Sequence, residues 1–281
     1  MRRIMVCAVL AVCTVVVAGA GYAQQARDPG ALVAKVNGAV FVVRGDGRAK
    51  AVQYMPLYIA DRLETGPKSS VEILFDTGIN LRVEENCSVE LASLMLGRTP
   101  KKSVKSVSME VNVQTGGVLV DGATIKNKYQ LQSMKVRTPT SVAAIRGTVF
   151  YAGVAGDGSG KVAVFEGAVQ TYRAGMDEVS GVDVAAGRQA VIGLSDNAPS
   201  VGVFDDEMRA YRLSVVEEYR KTVAYYRSQL DAFKKRRDLW IRQHKDAFMR
   251  EIDQNKRDFM QNREGTGDDK IKRMMNDPDF R

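Results

Sequence analysis

From Leu32 to about Val201 the chain is written in short runs whose apolar residues recur at every second position, and no helix-period segment interrupts them. This constrains the fold most, because residues two apart share one face of a pleated strand. "AVFVVRGDG" gives a strand entering a turn, "SSVEILFDTGINLRV" two strands joined at Asp76-Thr77-Gly78, and "KSVSMEVNVQTGGVLVDG" alternates on both sides of Gly116-Gly117. "VFYAGV", "KVAVFEGAVQTY", "VDVAAG" and "RQAVIG" follow, separated by residues that accept turn conformations. Four times, at Gly38, Gly116, Gly147 and Gly167, a glycine precedes an apolar strand at irregular intervals. The prediction is a mainly β domain over 32–201, a compact sandwich or a short solenoid-like coil around one core.

The period changes at Phe204. No glycine or proline occurs from there to Glu264, and Asp205 and Asp206 stand where a helix start favours acids. A long amphipathic C-terminal α-helix over 204–264 is predicted, followed by a polar tail over 265–281. Tyr219, Tyr226, Phe233 and Trp240 recur every seventh residue, with Val216, Val223 and Leu230 as the companion row; Arg237 and His244 thin the stripe. Most helix stability comes from burying an apolar face. The seam therefore needs a cover: a hairpin, the β domain, or another chain. The lack of an internal breaker favours one continuous helix packed on a protein partner or on a second copy, as in a coiled coil, with Tyr219, Val223, Tyr226, Leu230, Phe233 and Trp240 as the contact residues.

At the other end, Arg2 and Arg3 precede the apolar run Ile4 to Val17 and the small residues of "AGAGYA", the pattern of a secretory signal peptide over 1–23 cut near Ala23. The run is short for a membrane span, which needs roughly 20 apolar residues. Cys13 lies in "LAVC", an approximate lipidation site with Val12 large for its position. The expectation is an extracytoplasmic protein of the periplasm or envelope. Losing two arginines takes the formal charge from +8 to +6, a mild excess that suits an envelope polymer or lipid surface and gives no reason to expect nucleic acid. Loss of Cys7 and Cys13 leaves Cys87 with no intramolecular disulfide partner.

"VRTPTSVAAIRGTVFYAGVAGDGSGKVAVFEGAVQTY" resembles the FecR domain, through Val136, Thr138, Pro139, Ala143, Arg146, Gly147, Thr148, Phe150, Val164, Gly167 and Val169. Upstream, "ADRLETGPKSSVEILFDTGINLRV" is similar to the family's paired-strand segment, with Ala60 where glycine is usual. The resemblance covers about Leu32 to Gly193 and implies an extracytoplasmic, mainly β binding and signal-transmitting domain without catalytic activity. The anti-sigma regulators of that family carry a cytoplasmic segment and a spanning helix, which this sequence replaces with a signal peptide. The motif residues Thr138, Pro139, Arg146, Gly147, Thr148, Phe150 and Gly167 are expected to be structural: Thr-Pro ends a strand, Arg146 clamps carbonyls or a carboxylate such as Asp61 or Glu166, and Gly147 turns the chain.

No catalytic, cofactor or metal site is expected. His244 is the only histidine and lies on the helix seam. "DGSG" at Asp157 to Gly160 lacks the later acid of a calcium loop, and "RGD" at Arg44 to Asp46 reads as a turn. Lys234 to Arg237, flanked by Asp231 and Asp238, reads as a solvated face. Two functions follow: a binding protein of the envelope, in signal sensing or assembly, whose helix oligomerises or meets a partner, or a structural coiled-coil spacer.

Overall fold

The computed structural model describes residues 29–98, 104–122, 130–145 and 147–244. The predicted signal peptide, Cys13, Arg146, the predicted helix beyond 244 and the polar tail lie outside the described residues. Seventeen strands run from β1 (Ala31–Asn37) to β17 (Ser200–Val203). They form two layers. The first has the order β1, β6 (Ser70–Phe75), β7 (Asn80–Val83), β9 (Val104–Asp121), β12 (Val149–Val154), β13 (Gly160–Glu166), β16 (Arg188–Ile192), β17, with β4 (Pro56–Leu57) beside β1. The second runs β3 (Gly47–Lys50), β2 (Val40–Arg44), β5 (Arg62–Thr65), β8 (Ser88–Arg98), β9, β10 (Gln130–Arg137), β11 (Ser141–Ile145), β14 (Ala168–Arg173), β15 (Val182–Ala185). All of these pairings are antiparallel except β9 with β10.

β9 belongs to both layers. Residues 104–115 pair in the second, and Gly116 to Asp121 pair in the first. The mainly β domain expected is formed, as two layers around one core between which the chain crosses repeatedly. Its core takes alternate residues from each sheet: Ile73, Val118, Phe150, Val162 and Val164 from the first, Val42, Leu63, Val89, Val111, Val136 and Val169 from the second. Gly38, Gly147 and Gly167, like Gly116, stand where the chain crosses between the layers, which is why a corner glycine precedes an apolar strand each time.

The first sheet is apolar on its outer side as well. Leu119, Val149, Ala163 and Phe165 gather there with Phe204, Met208, Val216, Tyr219 and Val223, while Leu32, Ala34 and Leu74 gather with Tyr226 and Phe233. The molecule thus has a third layer, the C-terminal helix. It comprises α1 (Asp206–Tyr211), a π turn (Arg212–Val216) and α2 (Glu217–Ser228), and helix resumes over 230–244. The expected unbroken run is corrected: Gln229 leaves the helical region at φ −108°, ψ 11°. In the π turn Glu217 N–H reaches back five residues to Arg212 O. The residue added by this wide turn keeps both Met208 and Val216 facing the sheet, a registration that a strict heptad does not provide. Among the described residues no helix is long and apolar enough to cross a membrane.

Ala60, in the position where the resembled family has glycine, lies in the loop after β4 at φ +68° and is exposed. A side chain in the left-handed region costs about 1–3 kcal/mol, and glycine returns part of that as unfolded-state entropy. Ala60→Gly is expected to raise stability by about 1 kcal/mol, seen as a higher urea midpoint; an unchanged or lower midpoint would mean the loop gains more from restriction than it loses to strain.

Candidate interaction site

The helix seam lies on the chain's own first sheet. Tyr219, Val223, Tyr226 and Phe233 are buried there, and Leu230 and Trp240 are half-buried. The stripe expected to meet a second protein is therefore occupied within the chain. It is covered because the outward residues of β1, β6, β9 and β13 are themselves apolar. Each fully buried side chain of this kind contributes about 1.5–3 kcal/mol.

Charged residues tie the helix down. Lys35, Glu72 and Arg82 stand directly opposite one another on β1, β6 and β7 and form a row of alternating sign on the outer face. Tyr226 donates its hydroxyl to Glu72 Oε2 at 2.5 Å, while Arg82 bonds Glu84 at 2.9 Å and contacts Glu72 at 3.3 Å. Tyr211 donates to Glu84 as well. Burial, first, and the neighbouring glutamates push the Tyr226 and Tyr211 hydroxyls upward, so both remain donors at neutral pH. Farther along, Arg227 pairs with buried Asp121 at 2.5 Å, and Arg237, itself buried, pairs with Asp76 at 2.6 Å. Removing one member of such a buried pair strands the other charge, at a cost of about 3–5 kcal/mol. The basic run 234–237, read as a solvated face, is mostly engaged: Lys234 donates to Asp76 O and Arg236 to the Tyr54 hydroxyl, whereas Lys235 is exposed. Tyr54 holds a φ of +69° and stacks edge-on with Phe233 at 5.5 Å.

The helix start is anchored too. Asp205 accepts from Met208 N–H at 2.8 Å and pairs with Lys161 at 2.9 Å. Burial opposes its ionisation but is outweighed by the Met208, Lys161 and Gln189 donors, which hold the carboxyl at about 2.

The motif residues gather at two turns. Thr138 Oγ1 accepts from Ser141 N at 2.8 Å, closing a tight turn over exposed Pro139 between β10 and β11. Gly147, at φ +66°, leads from β11 to β12; Thr148 beside it abuts Gly167, where a Cβ would meet Thr148 Cγ2 at 2.7 Å. Phe150 is fully buried between the layers. The carboxylates suggested for Arg146 have other partners: Asp61, fully buried, is held by two 2.6 Å bonds from Arg44, and Glu166 by Arg220. The arginine of "RGD" is thus half of an internal fork. Cys87 is buried against Gly117, and burial raises its thiol to about 11, well away from a reactive thiolate.

Glu72, Asp121, Arg82 and Arg227 carried no expectation from the sequence, and Asp76 only that of a turn residue, although acids inside "SVEILF" and "VLVDG" mark positions on strands that are otherwise apolar.

Residues 61–170 match the family model described as FecR protein. Two crystal structures of a "putative anti-sigma factor" from Parabacteroides distasonis ATCC 8503 are similar at 10% identity, with TM-scores of 0.40 and 0.39. The similarity covers 55% of this chain and 64% or 65% of theirs, less than two thirds of either relative. No curated protein matches the chain. The family model spans the strands from β5 to β14, with both motif turns and the Phe150 core position inside it, and the sandwich built here is the mainly β fold that the motif implies: residues 61–170 carry a FecR domain.

Proposed function

We propose that this is an exported, non-catalytic binding protein of the periplasm or cell envelope, a FecR sandwich with a helix strapped across it, acting in signal sensing or envelope assembly through a protein partner. The single observation that carries the reading is the strap itself. A FecR domain with one sheet sealed by its own helix is a self-contained module whose outward helix surface is available to others. Outside the occupied seam Leu213 is 77% exposed and Tyr225, whose ring borders Phe233, is 57% exposed. The mild positive charge of the mature chain would favour an anionic envelope surface as a second contact.

The test is a photo-crosslinking amino acid placed at position 225 in intact cells, followed by capture of the full chain and N-terminal sequencing. A new start near Gln24 and a discrete protein adduct are expected. Intact Met1 in a cytosolic fraction, or no adduct from position 225 and from position 213, would overturn the reading.

A further inference from the structure

Between the helix and the first sheet lies an open cleft of about 190 Å³ whose lining includes Lys35, Glu72, Arg82, Glu218 and Tyr219. Its floor is the cross-strand row Lys35, Glu72, Arg82, and its roof is the π turn with the first turn of α2. Three features distinguish it from ordinary packing space.

The first is chemistry. A pocket for an apolar ligand has predominantly apolar walls, whereas this floor consists of charged side chains. The second is unspent hydrogen-bonding capacity. The Tyr219 hydroxyl is buried and has no hydrogen-bond partner among the described residues, although Glu72, Asp121 and Arg82 are close enough to act on it electrostatically. Such a group costs about 1–3 kcal/mol unless something polar meets it. Lys35 is exposed and makes no ion pair among the described residues, and Glu218 has only a 3.7 Å contact with Lys221 on the surface. The third is backbone. The roof contains the π turn, which sets the helix on the sheet and is a conformation found frequently at functional sites.

The sign pattern selects the occupant. A simple anion held by Lys35 and Arg82 would also meet Glu72 and Glu218, and a simple cation held by the glutamates would meet the two bases. A molecule with both charges a few bonds apart satisfies both ends. The volume, below the roughly 300 Å³ of drug-sized sites, suits a small molecule. We propose that this cleft binds a small zwitterion of the free amino acid class, with its carboxylate at Lys35, its ammonium at Glu218 and Glu72, and the Tyr219 hydroxyl closing the inner end. The cleft is argued from its own residues, so failure to capture a protein partner leaves it standing.

The experiment is calorimetric titration of the full chain with L-alanine, and separately with propionate and ethylamine, its two halves. Saturable binding of L-alanine is expected, with each half at least about tenfold weaker, because a hydrogen bond to a charged group is lost in each. Lys35→Met and Glu218→Gln, both at exposed positions, should each weaken binding about tenfold. Tyr219→Phe separates binding from structure: it should leave the unfolding midpoint equal or higher, since an unpartnered hydroxyl is removed, yet weaken L-alanine. Heats equal to dilution up to roughly 10 mM, equal binding of either half, or unchanged affinity in Lys35→Met and Glu218→Gln would overturn the proposal.

Discussion

Gly116→Ala is expected to remove about 2–5 kcal/mol of stability, the larger part of what many domains possess. At this residue β9 leaves one layer for the other with φ +73°. The left-handed backbone alone costs an L-residue about 1–2 kcal/mol. The new Cβ would also lie 2.2 Å from Cys87 Sγ, 3.0 Å from Cys87 Cα and 3.1 Å from Asn86 O. That backbone has little room to yield, because Cys87 N–H donates to Thr65 Oγ1 at 2.9 Å and Gly117 N–H to Cys87 Sγ at 3.0 Å. Overpacking of this kind adds about 1–3 kcal/mol. Gly187→Ala isolates the backbone contribution: its φ is +82° but nothing lies within 4 Å of the added Cβ. Urea unfolding of both variants decides the matter, and equal losses would reject the packing argument.

Phe150→Ala should cost about 3–5 kcal/mol, the range for deleting a buried phenylalanine. Phe150 is fully buried on β12, opposite Val120 on one side and Val164 on the other. The two neighbouring strands hold the cavity walls apart, so collapse is limited. Phe150→Leu keeps most of the volume and should lose much less. The measurement is again the urea midpoint with an unchanged slope; a loss below about 1.5 kcal/mol for alanine would mean that the layers close over the gap.

The layered β architecture was legible because it rests on period two and on turn residues, both local properties. The glycine corners were visible for the same reason: Gly38, Gly116, Gly147 and Gly167 carry the crossings whatever lies across the core. The helix start was legible as well, since Asp205 caps it through Met208 only three residues on. The cover of the seam was not. That Tyr226 meets Glu72, 154 positions earlier, depends on which face of β6 looks outward, and alternation gives the two faces without naming their neighbours. Arg237, read as a gap in the stripe, is its buried ionic anchor, because Asp76 in a turn of the first sheet lies beneath it. The π turn and the break at Gln229 were equally hidden, since neither involves glycine or proline.

The strand common to both layers has a consequence for how the protein can be dissected. The recognised segment 61–170 omits β1, the partner of β6, and β2, the partner of β5, and it ends before β14 is complete. With β9 threading through both sheets, no cut separates one sheet from the other without severing a common backbone. Mechanical load, proteolysis or heat should therefore dismantle the sandwich in one step, and a gene fragment trimmed to the recognised borders would yield a chain with raw edges, not a working module.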